Sequence, residues 1–339
     1  MRLLFNTIKQ ITFFCEETAE QLILKLNEKD ALKLPPDLGK MVVKFVSIMG
    51  TDVSLKKCVI IAVADHGVAH LNVSAYPTET TVQMTESYLT DKGAAVNVAA
   101  DFCGADLFVV DVGAEKDLSY LPGIFNKKIA FGTADIIKGP AMTFDDAVQS
   151  VELGIQFILE KVNEGYNCFS LSEMGIGNTT SNAAITCVSC ETSADEATGY
   201  GSGISEERRQ NKVQIVQKAI DVNNPDVNDP LDVLTKLGGY ETGFLVGAIL
   251  AVAANKGIVV IDGFNSSVAA LLAYNLQPMV KDYLLASQLS SEKVHSLILN
   301  TLELKPYFDL NMKLGESVGS AITIEMLETI LNILKENEY

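Results

Sequence analysis

The chain has 339 residues, 48% of them hydrophobic, and its 26 Lys and Arg against 43 Asp and Glu leave a formal charge of −17. That share of apolar side chain excludes global disorder and supports one large domain or two smaller ones. The acidity excludes nucleic acid as the main partner, because binding a phosphate backbone takes a dense Lys/Arg surface.

In chain order, residues 1–30 read as amphipathic helix. Leu4, Ile8, Ile11 and Cys15 recur at helical spacing, while Asn6, Thr7, Lys9 and Gln10 interrupt what would otherwise resemble a signal peptide. Leu34-Pro35-Pro36-Asp37 then breaks the chain. Cys58–Ala64, Leu107–Asp111, Cys168–Leu171 and Ile258–Asp262 read as buried strands, and helices are predicted over Thr143–Asn163, Ser205–Ile220, Tyr240–Ala254 and Ser266–Asn275. Nearly continuous apolar strands alternating with helices predict an α/β fold, with a mostly parallel sheet flanked by helices in a Rossmann-like arrangement. The longest apolar run, Gly243–Ala254, stops at Asn255-Lys256-Gly257. A spanning helix needs roughly 20 such residues, so no membrane partner and a cytoplasmic location are expected. Met326, Leu327, Ile330, Leu331 and Leu334 predict a last helix over 320–339. The expected division is a large α/β domain over 41–290 beside a small helical domain built from 1–40 together with 291–339. The six cysteines, Cys187 and Cys190 included, sit in apolar stretches and read as buried free thiols; with three histidines in the chain, no metal site is expected.

Three strand ends carry polar, glycine-rich loops, the place where open α/β sheets bind ligands. They are Ala64-Asp65-His66-Gly67-Val68, the stretch from Ser172 through Glu173, Gly175 and Gly177 to Thr180, and Asp262-Gly263-Phe264-Asn265-Ser266-Ser267. The second has the glycines, hydroxyls and following helix of a phosphate cradle. Alone it is weak, since it lacks the third glycine of a dinucleotide fingerprint and structural turns use the same residues. Gly199-Tyr200-Gly201-Ser202-Gly203 leads into Arg208-Arg209-Gln210-Asn211-Lys212, a basic patch in an acidic chain. Lys313-Leu314-Gly315-Glu316-Ser317 sets a carboxylate in a turn, where a solvated side chain is the plain alternative to a base. His66 reads as a hydrogen-bonded structural histidine.

Taken together, ADHGV at 64–68, EMGIGNTTSNAA at 173–184, NKV at 211–213, DVLTKLGG at 232–239, IDGFNSSVAAL at 261–271 and MKLGES at 312–317 stand in family order. The chain resembles the nicotinate-nucleotide:dimethylbenzimidazole phosphoribosyltransferases of cobamide lower-ligand synthesis, from about residue 33 to 335. The resemblance implies a dimer that moves 5-phosphoribose from nicotinate mononucleotide to an aromatic acceptor, inverting the β-anomer to the α-anomer without a cofactor. It implies Glu316 as general base and Glu173 as the acid near ribose and acceptor. It puts Gly175, Gly177, Asn178, Thr179, Thr180, Gly201 and Lys212 on phosphate-handling segments, and Asp262 and Gly263 on the nucleotide-binding turn. The implied acceptor pocket is Tyr76, Pro77, Met84, Met174 and Leu314.

That pocket departs from the pattern of benzimidazole-using members. Tyr76-Pro77 stands for a Ser-Pro pair, Met84 for a Gln, and Met174 for the usual Leu. A ring and thioethers in place of short polar groups disfavour a base with two ring nitrogens, since an unmatched buried polar group costs about 1–3 kcal/mol. The expected acceptor is a phenol such as phenol itself or p-cresol. The chain thereby resembles the catalytic, ArsA-type subunit of the phenol-using branch, which pairs with a homologous second subunit. A benzimidazole acceptor is the alternative, and a non-catalytic subunit a more distant one. An oxidoreductase would need a fuller dinucleotide fingerprint.

Overall fold

The computed structural model describes residues 1–13, 21, 36–50, 53–90, 93–310, 312 and 315–336. Six strands, β1 (Lys57–Ala64), β2 (Asp106–Gly113), β3 (Phe125–Asn126), β4 (Cys168–Met174), β5 (Ile258–Ile261) and β6 (Leu284–Ala286), form one sheet in the order β3-β2-β1-β4-β5-β6. Every pairing is parallel. The chain is an α/β fold with an all-parallel sheet between helical layers. Parallel strands need long crossovers, and buried on both faces they take β-branched residues at every position, as in Val59-Ile60-Ile61. Each such side chain, once buried, contributes about 1.5–3 kcal/mol. The order reverses between β1 and β4, so the crevice beyond their carboxyl ends is the switch point where open sheets take ligands.

The two sheet faces differ chemically. Cys58 and Ile60 of β1 lie level with Phe169 and Leu171 of β4 and face helices Phe144–Asn163 and Tyr240–Ala254. Val59, Ile61 and Val63 lie level with Ser170, Ser172 and Met174 on the other face. That face is covered by helices Glu79–Thr90 and Ala95–Phe102, and toward β5 by Val318–Glu336. Here the chain tolerates polar groups because they pair: Ser170 Oγ lies 3.0 Å from Ser317 Oγ and 2.7 Å from Ser320 Oγ.

The predicted helices recur with small changes at their ends. Thr143 is an N-cap whose Oγ1 accepts from Asp146 N at 3.1 Å, and Ser205 caps helix Glu206–Asn223 by accepting from Arg208 N at 3.3 Å. The predicted 266–275 helix begins earlier, as Phe264–Leu276. The first helix is shorter than its periodicity suggests. Arg2–Gln10 ends at Ile11, which is extended, because the following carbonyls serve tertiary partners: Tyr283 Oη donates to Thr12 O at 2.5 Å. Cys15 lies outside the described residues. The chain ends also separate. Helix Arg2–Gln10 packs on Phe144–Asn163 and Tyr240–Ala254, across the sheet from Val318–Glu336, whereas helix Pro36–Met49 does pack on Val318–Glu336. Among the described residues no helix is long and apolar enough to cross a membrane.

Candidate active site

The switch point is held open by backbone that comes unusually close. A Cβ on Gly175 would stand 1.7 Å from Ala64 O, and Gly177, at φ +99°, turns the chain into helix Asn178–Ser189. Asp65 fastens the same corner: its carboxylate accepts from Thr81 Oγ1 at 2.5 Å, Ile176 N at 3.3 Å and Glu115 N at 2.9 Å. Beneath it, His66 Nε2 lies 2.9 Å from Glu241 Oε1, both side chains almost wholly buried. Burial alone would lower the imidazole's pKa, but Glu241 outweighs it and holds the ring above its ordinary value. His66 is thus the hydrogen-bonded structural histidine its position suggested.

A cleft of about 1650 Å³ opens over this corner. Glu173, Gly175, Gly177, Asn178, Thr179, Gly201, Asp262, Gly263, Glu316, Tyr76, Met84 and Met174 all line it, so most residues singled out from the sequence converge on one space. Glu173 Oε1 accepts from Asn265 Nδ2 at 2.7 Å, and Oε2 accepts from Asn178 Nδ2. Burial, reinforced by the charge of Glu241, still pushes its pKa up to about 7. Lys212 is 1% exposed and stands behind the cradle, its Nζ donating to Thr179 Oγ1 at 2.7 Å. Burial lowers its pKa to about 8, which makes it a cation in want of an anion.

The opposite wall is built around Glu316. Glu316 and Ser317 are consecutive non-glycine residues in the left-handed region, at φ 58° and 61°, and such backbone persists only where its surroundings fix it. Asp262 does the fixing: Oδ1 accepts from Ser320 N at 3.0 Å and Ser320 Oγ at 3.3 Å, and the N–H groups of Ser317 and Gly319 point at the same carboxylate. Burial raises Asp262 to about 6. Burial also raises the Glu316 carboxyl, against an N–H from Val96. Beside it stand Met84, Met174 and the buried Tyr88, whose phenol is pushed up by burial and by the charges of Glu316 and Glu173.

The geometry adds detail to several of the residues singled out from the sequence. Asp262 spends its carboxylate on a helix start, so it shapes the Glu316 turn. Thr180 is fully buried, and its hydroxyl has no partner among the described residues; one residue beyond Thr179, it is turned into the fold by the helix. Pro77 is exposed and is not part of the cleft wall, and Leu314 lies outside the described residues. Tyr76 lines the cleft at its rim and is 54% exposed. Sequence reasoning missed Tyr88, Glu241 and Glu292. A lone acid at the head of an apolar helix could have exposed Glu241; nothing in the sequence marked the other two.

Residues 24–338 match the family described as phosphoribosyltransferase. A nicotinate-nucleotide–dimethylbenzimidazole phosphoribosyltransferase of Geobacter metallireducens is 41% identical over 281 residues, covering 83% of this chain and 79% of that protein. The enzyme of the same name from Acetivibrio thermocellus is 36% identical over 340 residues, covering 98% and 95%. The crystal structure of CobT from Thermus thermophilus superposes with a TM-score of 0.87 at 34% identity, covering 94% of this chain and 96% of that one.

Proposed function

We propose a donor and an acceptor for the cleft from one premise: the chain belongs to the phosphoribosyltransferase family whose relatives are named nicotinate-nucleotide–dimethylbenzimidazole enzymes. The donor is nicotinate mononucleotide and the acceptor a benzimidazole-type base, giving the α-ribosyl phosphate of a cobamide lower ligand. One observation carries this reading. A phosphate cradle backed by Lys212 opens into the same cleft as two carboxyls, Glu173 and Glu316, that burial has raised.

The 5′-phosphate rests on backbone N–H groups near Gly175, Gly177 and Gly201, with Asn178 and Thr179 at the helix start and Lys212 behind. Fixing it converts binding energy into orientation at the anomeric carbon. As nicotinate leaves, positive character grows on the ribose, and Glu173, tethered by Asn178 and Asn265, offsets it. The acceptor attacks the opposite face while Glu316 takes its ring proton. A raised pKa suits a carboxylate to that role near neutral pH.

Tyr88, Ser74 and Thr80 in the wall supply polar partners that the phenol expectation left out, and they support a base with ring nitrogens. Met84 and Met174 are the observation favouring a phenol, which stands as the second reading. Product masses from nicotinate mononucleotide with equimolar phenol and dimethylbenzimidazole separate the two: benzimidazole riboside phosphate as main product is expected, and phenyl riboside phosphate alone would overturn it. We also propose a dimer of this chain, supported by an apolar groove of about 420 Å³ at Leu38, Phe102, Ile322, Met326 and Ile330; sedimentation tests it.

A further inference from the structure

The phosphate cradle already faces an anion, and the chain itself supplies it. Glu292, in the loop before the short helix His295–Thr301, turns its carboxylate onto the 199–201 loop, where Oε1 accepts the Gly201 N–H at 2.9 Å. The loop is shaped to receive it, because a Cβ on Gly199 would lie 1.5 Å from Oε2. Glu292 is also the negative charge that resists the fall of the Lys212 pKa. Arg209, another cation of the wall, is committed elsewhere, with Nη2 at 2.9 Å from Asp195 and 3.0 Å from Glu206. Gly201 N–H and Lys212 are therefore donors a phosphate would use, and a carboxylate already lies against the first and acts by its charge on the second.

We propose that Glu292 is a surrogate anion that occupies the phosphate seat before the donor binds, is displaced by the donor's phosphate, and so tempers donor affinity. The proposal rests on the donor assignment above. Two like charges cannot share the Gly201 N–H, so binding runs as an exchange. A dianionic phosphate satisfies Gly201 and Lys212 together and wins that exchange; a neutral or weakly charged group does not. Glu292 thus weakens the hold on the donor's phosphate without touching the reacting atoms.

The test is calorimetric titration of the full chain with inorganic phosphate, for wild type, Glu292→Gln and Gly199→Ala. Glu292→Gln removes the competing charge. Gly199→Ala keeps the charge but dislodges the carboxylate, at small structural cost because the displaced group is the end of a flexible side chain. Both variants are expected to bind phosphate roughly tenfold tighter, the size of one close like charge removed. Nicotinate riboside, which lacks the phosphate, is expected to bind all three alike. Phosphate bound equally by all three, or more weakly by the variants, overturns the surrogate role and leaves the cradle standing. Phosphate bound by none overturns the cradle and the surrogate together.

Discussion

The two walls of the cleft are made of different materials. The wall proposed for the donor is mostly main chain: one turn and one helix start, drawn from the contiguous segment 173–180 and completed by Gly201 and Lys212. The wall proposed for the acceptor is side chain, gathered from Tyr76, Met84, Tyr88, Met174 and Glu316, which come from separate segments of the chain. The difference teaches how each can vary. A backbone cradle reads a phosphate whatever its neighbours, and fails only if the turn fails. A wall of side chains reads shape, and can change its acceptor one residue at a time without disturbing the sheet beneath.

The sharpest break of that contrast is Glu316→Gln, which keeps size and hydrogen bonding but removes the proposed base. Steady-state turnover should fall about 10²–10⁴-fold while calorimetry shows donor affinity retained. Loss of both together would mean the walls are not separable. Next comes Lys212→Ala, expected to weaken nicotinate mononucleotide roughly 10–100-fold and leave the riboside unaffected, in line with a charge-assisted contact. Equal weakening of nucleotide and riboside would show that Lys212 is not reading the phosphate.

Acid sharpens the comparison further. Glu173 is raised in the fold from 4.5 to about 7, so the folded state holds its proton more tightly than the unfolded chain does. Its contribution to stability is therefore present below 4.5 and lost as pH rises through about 7. Glu173→Gln should flatten the fall of Tm over that window, read by calorimetric melts at stepped pH. As the proposed base, Glu316 would act deprotonated, so kcat/KM should fall on acidification at a pKa above the ordinary carboxylate range, and Glu316→Gln should abolish that limb. The smallest effect is expected at the rim. Tyr76→Ser with Met84→Gln should move the benzimidazole-to-phenol ratio of kcat/KM only several-fold, roughly 3–10, because Tyr76 is mostly exposed and Tyr88 remains. A larger swing would show that these two side chains, and not the wall as a whole, choose the acceptor.

What could be read from the sequence follows the same division. Val59 to Val63 and Ile258 to Ile261 announce buried parallel strands by being apolar without interruption, and the Glu173–Thr179 turn announces by its glycines the close backbone approach on which the proposed anion site rests. Both signals are local. Asp262 was legible as important but not as a cap, because the N–H groups it receives, at Ser317, Gly319 and Ser320, belong to another element. Thr180 shares its motif with Thr179, and only helix phase separates a side chain in the cleft from one sealed beneath it. Glu292 carries no local pattern; its meaning comes from Gly199 and Gly201 across a loop contact. The Arg2–Gln10 helix stops early for a related reason, since a tertiary donor, Tyr283 Oη, takes a carbonyl just beyond it and ends a pattern that periodicity would have continued.

The strand order also has a kinetic cost. β4 is complete at Met174, but its second neighbour, β5, begins at Ile258. On a ribosome adding about 5–20 residues per second, β4 waits on the order of ten seconds with one edge unpaired. Phe169 and Leu171, on the face that helix Tyr240–Ala254 has yet to cover, are fully buried in the finished fold. An open apolar edge is a template for pairing with another chain. Long-range parallel pairing is also slow to form, which lengthens the exposure. The interval before β5 docks is thus when this enzyme is most exposed to aggregation, and variants that delay β5 should lose soluble yield before they lose activity.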